Sequence, residues 1–192
     1  MNGRIALLSG SIGYGKGVLC MQLIRAICLK ALQINERINV YANFHIKNGF
    51  MPNMKFNFLR THDDFFKIEN IGIHQVIVID EPDNWGTDAR RSMSNENIDF
   101  AHKWKQIRKY DADGIIIPQL YSMEDKREKG LASIEYHAIK PTNKEFRYVS
   151  IPEEMPFVIP KWYAEQYIYP YYDSEETVSL EQEPIEDNDI AV

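Results

Sequence analysis

Gly10-Ser11-Ile12-Gly13-Tyr14-Gly15-Lys16-Gly17 is the stretch on which the reading of this chain turns. It carries the spacing G-x-x-x-x-G-K. Glycines at this density let successive backbone amides turn inward around an anion, a nest that larger side chains would block. Just upstream, Arg4-Ile5-Ala6-Leu7-Leu8-Ser9 is a short, nearly continuous apolar run, as expected of a strand buried on both faces. Just downstream, Val18 to Leu29 is apolar enough for a largely buried helix, whose N-terminus directs partial positive charge at the same anion. Lys16 is placed to reach β- and γ-phosphates. Strand, loop and helix in this order predict nucleotide binding by Gly10, Ser11, Ile12, Gly13, Tyr14, Gly15, Lys16, Gly17 and Val18. The competing reading is a glycine turn with no ligand. One element departs from the motif: the Ser or Thr whose hydroxyl normally holds magnesium is replaced by Gly17, and Ser11 is not assumed to substitute for it.

The strongest strand signal lies further along, in Gln75-Val76-Ile77-Val78-Ile79-Asp80, with four consecutive β-branched residues. Followed by Glu81, it has the form of a Walker B element. A buried strand delivers Asp80 to its C-terminal edge, where ligands bind in sheets of this kind. Asp80 is the expected magnesium ligand, acting through water, and Glu81 the group that polarises the attacking water. The alternative is a pair of acids closing a strand before the turn at Pro82.

Gly114-Ile115-Ile116-Ile117-Pro118-Gln119 is another buried strand that ends in a polar amide. Gln119 either senses the γ-phosphate or satisfies a backbone group at the strand end. Phosphoryl transfer builds negative charge that an arginine from a neighbouring subunit commonly offsets. Arg108 and Arg127 flank this strand and are the candidates, with Arg90 and Arg91 in reserve; a solvated surface role is the alternative for each. Lys103, Trp104, Lys105, Arg108 and Lys109 make a basic run with an aromatic inside it, a pattern able to stack bases and meet phosphates. Trp104, however, falls with Ile98, Ala101 and Ile107 on one face of an expected helix from Ser94 to about Arg108, which favours a core ring and a solvated charged face.

The remaining chain fits one α/β domain. Ile38–Ala42 reads as a strand ending at Asn43 and His45, Lys55–Leu59 as a short strand, Thr61 as the cap of a helix reaching Lys67, and Ile134–Ile139 as a fifth buried strand with Glu145–Ser150 as its hairpin partner. Strands alternating with helices predict a mainly parallel sheet covered on both faces. The expected organisation is a domain over residues 1–150, a proline- and aromatic-rich strap over 151–172, and an acidic, disordered tail over 173–192. With 192 residues and 44% hydrophobic content, the chain can bury a sizeable core. The net charge of −6 is uneven: eight of the 28 acids and none of the 22 bases fall in Asp173–Val192, leaving 20 acids against 22 bases in the body. That near-neutral body tolerates a nucleic-acid partner without demanding one. No apolar stretch approaches the ~20 residues of a membrane span, and the start lacks the layout of a secretory signal, so a cytoplasmic protein is expected. Cys20 and Cys28, eight residues apart in one helical stretch, match neither a disulfide nor a metal site.

Taken in order, Gly10–Lys16, Val40-Tyr41-Ala42-Asn43, Val78-Ile79-Asp80-Glu81, and Arg108 ahead of Asp113–Gln119 resemble the zonula-occludens-toxin-like ATPases. These are grouped with the FtsK/HerA pumping ATPases of filamentous phages and archaeal viruses. The resemblance spans roughly residues 4–140, and only the two Walker elements are specific; Tyr172-Asp173-Ser174 is similar to a tyrosine-aspartate-threonine end in some members. It implies an additional-strand P-loop NTPase fold with sheet order 5-1-4-3-2 and a C-terminal hairpin, with ATP and Mg2+ as cofactors. It further implies Lys16 on phosphate, Asp80 on magnesium, Glu81 on water, Gln119 as γ-phosphate sensor, and Arg127 as a finger or sensor. The implied partners are double-stranded DNA, further copies of the chain in a ring, and virion or membrane assembly proteins. The expectation is therefore an ATP-driven motor for DNA translocation, genome packaging or virion assembly. A nucleotide-binding scaffold with weak or no ATPase activity is the main alternative, and a small-molecule kinase a more remote one.

Overall fold

A computed structural model describes residues 3–82, 95–119 and 130–172 of the chain. The predicted phosphate-loop strand is β1 (Ile5–Gly10), and α1 (Lys16–Gln33) follows it. Next come β2 (Ile38–Ala42), β3 (Met54–Phe58), α2 (His62–Phe66) and β4 (Gln75–Asp80). The chain continues through α3 (Asn95–Lys105), a 3-10 turn at Ile107–Tyr110, β5 (Ala112–Ile117), β6 (Ile134–Ile139), β7 (Glu145–Ile151), β8 (Pro156–Pro160) and α4 (Lys161–Tyr167). The eight strands form one sheet in the order β3-β2-β4-β5-β1-β6-β7-β8. Pairings from β3 to β6 are all parallel, and β6-β7 and β7-β8 are antiparallel.

This is the P-loop NTPase fold. Counted over the five strands that alternate with the expected helices, the central order β6-β1-β5-β4-β2 follows the anticipated 5-1-4-3-2. The difference lies at the two edges. β3 adds a parallel strand beside β2, and β8 adds a third antiparallel strand beyond the anticipated hairpin of β6 and β7. β8 is bounded by Pro156 and Pro160, which lack N–H groups and are tolerated because the strand lies on an edge. Those prolines made the segment read as an irregular strap.

The continuous apolar runs follow from burial on both sheet faces. In β4, Val76 and Val78 belong to a core cluster with α1, whereas Ile77 and Ile79 belong to another with α2 and α3. Alternate residues of β5 divide the same way: Ile115 and Ile117 face one cluster, Ala112 and Ile116 the other. α1 is buried along Val18, Leu19, Met21, Ile24, Cys28 and Ala31. The C-terminal elements join that side through Phe146, Tyr148, Ile159, Ala164 and Ile168. On the opposite side, Phe65 packs on Phe100 and Trp104 at ring separations of 4.6 and 5.3 Å. Thr61 caps α2 as expected, with a reciprocal bond pair to Asp64.

Trp104 is 1% exposed, its six-membered ring held against Gly114, so it offers no surface on which a base could stack. Lys103, read in the sequence as part of a solvated face, instead donates to the carbonyls of Phe66 and Ile68 at 3.0 and 2.7 Å and ties α3 to the end of α2. The expected helix face also shifts: Phe100 is buried where Ile98 is only half-buried. Ser94, the expected helix start, and Asp173–Val192 lie outside the described residues. Among the described residues, no helix is long and apolar enough to cross a membrane.

Candidate nucleotide site

Six parallel strands bring their C-terminal ends to one sheet edge, and three of those ends carry the predicted residues. β1 ends in the glycine loop, β4 in Asp80, and β5 runs on to Gln119. Gly10, Gly13 and Gly15 have φ of 127°, 78° and 88°, in the region that side chains rarely adopt. Gly10 also has no room for a side chain, because a Cβ would fall 2.7 Å from the Ala138 carbonyl oxygen on β6. Gly15 is the N-cap of α1, and its carbonyl accepts the Tyr148 phenol of β7 at 2.9 Å.

The loop and the carboxylates line one cavity of about 540 Å³, to which Ile12, Gly13, Gly15, Lys16, Gly17 and Val18 contribute on one side and Asp80, Glu81 and Gln119 on the other. Lys16 Nζ donates to the Gly10 carbonyl at 2.8 Å and reaches the Gln119 carbonyl at 3.5 Å. Burial holds its pKa below the ordinary lysine value, while Asp80 and then Glu81 pull it back up. The amine therefore lies within the field of both carboxylates across the cavity.

Asn43, at the end of β2, fixes the Asp80 peptide from both sides. Its Nδ2 donates to the Asp80 carbonyl at 2.7 Å, and the Asp80 N–H donates to its Oδ1 at 2.8 Å. Glu81 adopts φ 49°, a left-handed backbone for a non-glycine residue, and its N–H donates to the Ile117 carbonyl at 2.9 Å. Conformations of this kind cost about 1–3 kcal/mol and persist where neighbours over-determine them. Here the strand pairing of β4 with β5 and the bond to Ile117 impose it, turning the chain out of the sheet directly after Asp80.

Among the described residues, no group of three or more His, Cys, Asp or Glu is arranged to hold a metal ion. Magnesium is commonly bound by one or two carboxylates together with substrate phosphates rather than by an all-protein cage. One or two carboxylates facing a phosphate loop fit that requirement, and Asp80 and Glu81 are the residues so placed.

Of the residues expected to touch nucleotide, Gly10, Ser11 and Tyr14 lie outside the cavity lining; Tyr14 packs on the core beside α1. Arg108 lies on the opposite sheet edge, in the turn that enters β5, with its side chain against Gly3 ahead of β1. It does not enter this cavity within one chain. Arg127, Arg90 and Arg91 lie outside the described residues. Four lining residues were not anticipated as site residues from the sequence, namely Ile117 of β5, Phe146 of β7, Tyr169 and Tyr172. Asn43 was seen only as a polar strand end, although its position beside the strand of Asp80 is the signal that identifies it.

No protein-family model matches the chain, and no curated protein does. Solved structures do match. The N-terminal domain of zonular occludens toxin from Neisseria meningitidis superimposes with a TM-score of 0.63 at 18% identity, over 90% of this chain and all of that one. The DNA-packaging ATPase B204 of Sulfolobus turreted icosahedral virus gives 0.54 at 12% identity, over 82% of this chain and 98% of that one. The genome packaging NTPase B204 from Sulfolobus turreted icosahedral virus 2, in complex with ATP-gammaS, gives 0.51 at 11% identity, over 82% and 98%. The shared property is the fold.

Proposed function

We propose that this chain binds ATP with magnesium at the loop Gly10–Val18 and hydrolyses it, as one subunit of a ring that moves double-stranded DNA during genome packaging or virion assembly. The observation that carries the reading is the convergence of the Lys16 amine, Asp80, Glu81 and Gln119 on one cavity beside the glycine loop. Resemblance in fold to a viral packaging ATPase supports the motor part of it.

In this reading, loop amides and Lys16 bind the β- and γ-phosphates. The amine now rests on the Gly10 carbonyl and is partly desolvated, so an entering phosphate gives it a stronger partner. Asp80, its backbone fixed by Asn43, would hold magnesium, which supplies charge neutralisation on the phosphate oxygens when bound. Glu81 orients and polarises water for in-line attack, and Gln119 meets the γ-phosphate. Arg108, on the far edge, is available only to a neighbouring subunit; Arg127 is the second candidate for that role. A host cytoplasm is the compartment in which such a motor would work.

Lys16→Ala should lower ATP turnover about a hundredfold or more while leaving the melting temperature within a few degrees. An unchanged turnover rejects the reading. Measured with and without double-stranded DNA, stimulated turnover supports the motor. Tight binding without turnover supports the second reading, a nucleotide-binding scaffold, which the absence of a hydroxyl at Gly17 favours.

A further inference from the structure

Gly17 removes a hydroxyl from the place where a phosphate loop of this type needs one, and the volume of that side chain is filled from elsewhere. A Cβ built on Gly17 would fall 2.8 Å from both Cε1 and Cζ of Tyr172, and the phenol oxygen is the atom it would meet first. The end of the Tyr172 ring thus occupies the space of a serine or threonine at position 17. The exclusion is mutual: a side chain at position 17 and Tyr172 as it is seated cannot both stay in place without one of them shifting.

Tyr172 is held in this position by contacts remote from α1. Its ring meets Phe44 edge-on at 5.2 Å, one residue beyond the Asn43 that fixes Asp80. Its backbone forms an antiparallel bridge with Ile46, and Lys47 N–H donates to the Tyr171 carbonyl at 3.0 Å. Tyr171 packs on Phe50 at 5.5 Å. The residue is 8% exposed, yet it lines the cavity that holds Lys16, Asp80 and Glu81. A phenol buried by its ring and open to the cavity at one side is directed by packing rather than by chance contact.

We propose that the Tyr172 hydroxyl replaces the one missing at position 17, facing the magnesium-bound phosphates from outside the loop. This rests on the nucleotide reading above and deepens it. The phenol acts as an oxygen ligand or as a hydrogen-bond donor to the hydrated phosphate, so no covalent step is involved. Nucleotide binding then depends on docking of the C-terminal segment against the connection between β2 and β3.

The test is the dissociation constant of ATP, measured calorimetrically on the full chain in excess magnesium and again in EDTA. Wild type and Tyr172→Phe are compared, with melting temperatures as the control for folding. The Phe variant keeps the ring packing, so its melting temperature should stay within a few degrees. Its affinity for magnesium-ATP should fall about tenfold, the size of one lost hydrogen bond to a charged group, while its affinity in EDTA stays unchanged. Tyr172→Ala combined with Gly17→Ser, which returns a hydroxyl to the loop and removes the clash, should recover magnesium-dependent affinity that Tyr172→Ala alone loses. Equal affinity in the Phe variant and wild type, tighter binding, or an equal loss with and without magnesium would each overturn the proposal. A folded wild type that binds no ATP under either condition would instead remove the nucleotide reading itself.

Discussion

Asn43 and Asp80 are joined by a reciprocal pair of hydrogen bonds, 2.7 and 2.8 Å long, between one side chain and both polar groups of one peptide unit's residue. Asn43 is 5% exposed, so neither bond is readily exchanged for water. Asn43→Ala leaves the Asp80 N–H and carbonyl without these partners, a loss of about 1–3 kcal/mol. Urea denaturation should show that shift. ATP turnover should fall at least tenfold, because the carboxylate's backbone anchor is gone. Asn43→Asp, which can accept but not donate, should restore only part of the stability.

Gly114→Ala should destabilise the fold by roughly 1–3 kcal/mol through overpacking. The new methyl group would fall 2.5 Å from Trp104 Cζ3 and 3.0 Å from Ile107 Cδ1, both fully buried. Thermal denaturation measures it, and Trp104→Phe in the same chain should relieve part of the loss by shortening the offending ring.

His74 bridges Asp111 and Asp113, with Nδ1 3.3 Å from one carboxylate and Nε2 3.2 Å from the other. The bond to Asp113 raises its pKa above the ordinary 6.5, opposed by burial and assisted by Asp111. A raised folded pKa means that the protonated form stabilises the fold; the contribution is complete below pH 6.5 and disappears as pH rises through the folded value. Stability measured from pH 6 to pH 9 should therefore decline over that window, and His74→Gln should flatten the decline.

Cys20 and Cys28 should resist modification in the native protein. Both side chains are fully buried, and burial raises the thiol of Cys20 well above its usual value and that of Cys28 to about 11. A thiol reagent at pH 8 should titrate neither group until denaturant is added. Rapid reaction of either one would show that α1 opens on the time scale of the assay.

The strands β1, β4 and β5 at the middle of the sheet were readable because they are buried on both faces. Gln75–Asp80 and Ile134–Ile139 have the expected bounds, but Ile134–Ile139 is not the buried strand anticipated. Only Ala138 is buried and His137 is exposed, because β6 lies beside the antiparallel edge of the sheet. The glycine loop follows from residues with positive φ flanking a lysine. β8 was not readable, since two prolines and an edge position give no periodic signal. The site itself divides the same way. Lys16, Asp80, Glu81 and Gln119 are contributed by strand ends in a fixed order, so sequence order places them. Tyr172 and Phe146 reach the cavity through tertiary packing across more than a hundred residues, and no local pattern encodes that approach.

The bond from Tyr148 to the Gly15 carbonyl spans 133 residues. A polypeptide leaving the ribosome N-terminus first therefore exposes the glycine loop long before β7 exists to brace it. Until the final third has been translated, the loop and helix α1 lack that support. Fragments that end before β7 should therefore be aggregation-prone, with the loop and α1 unbraced.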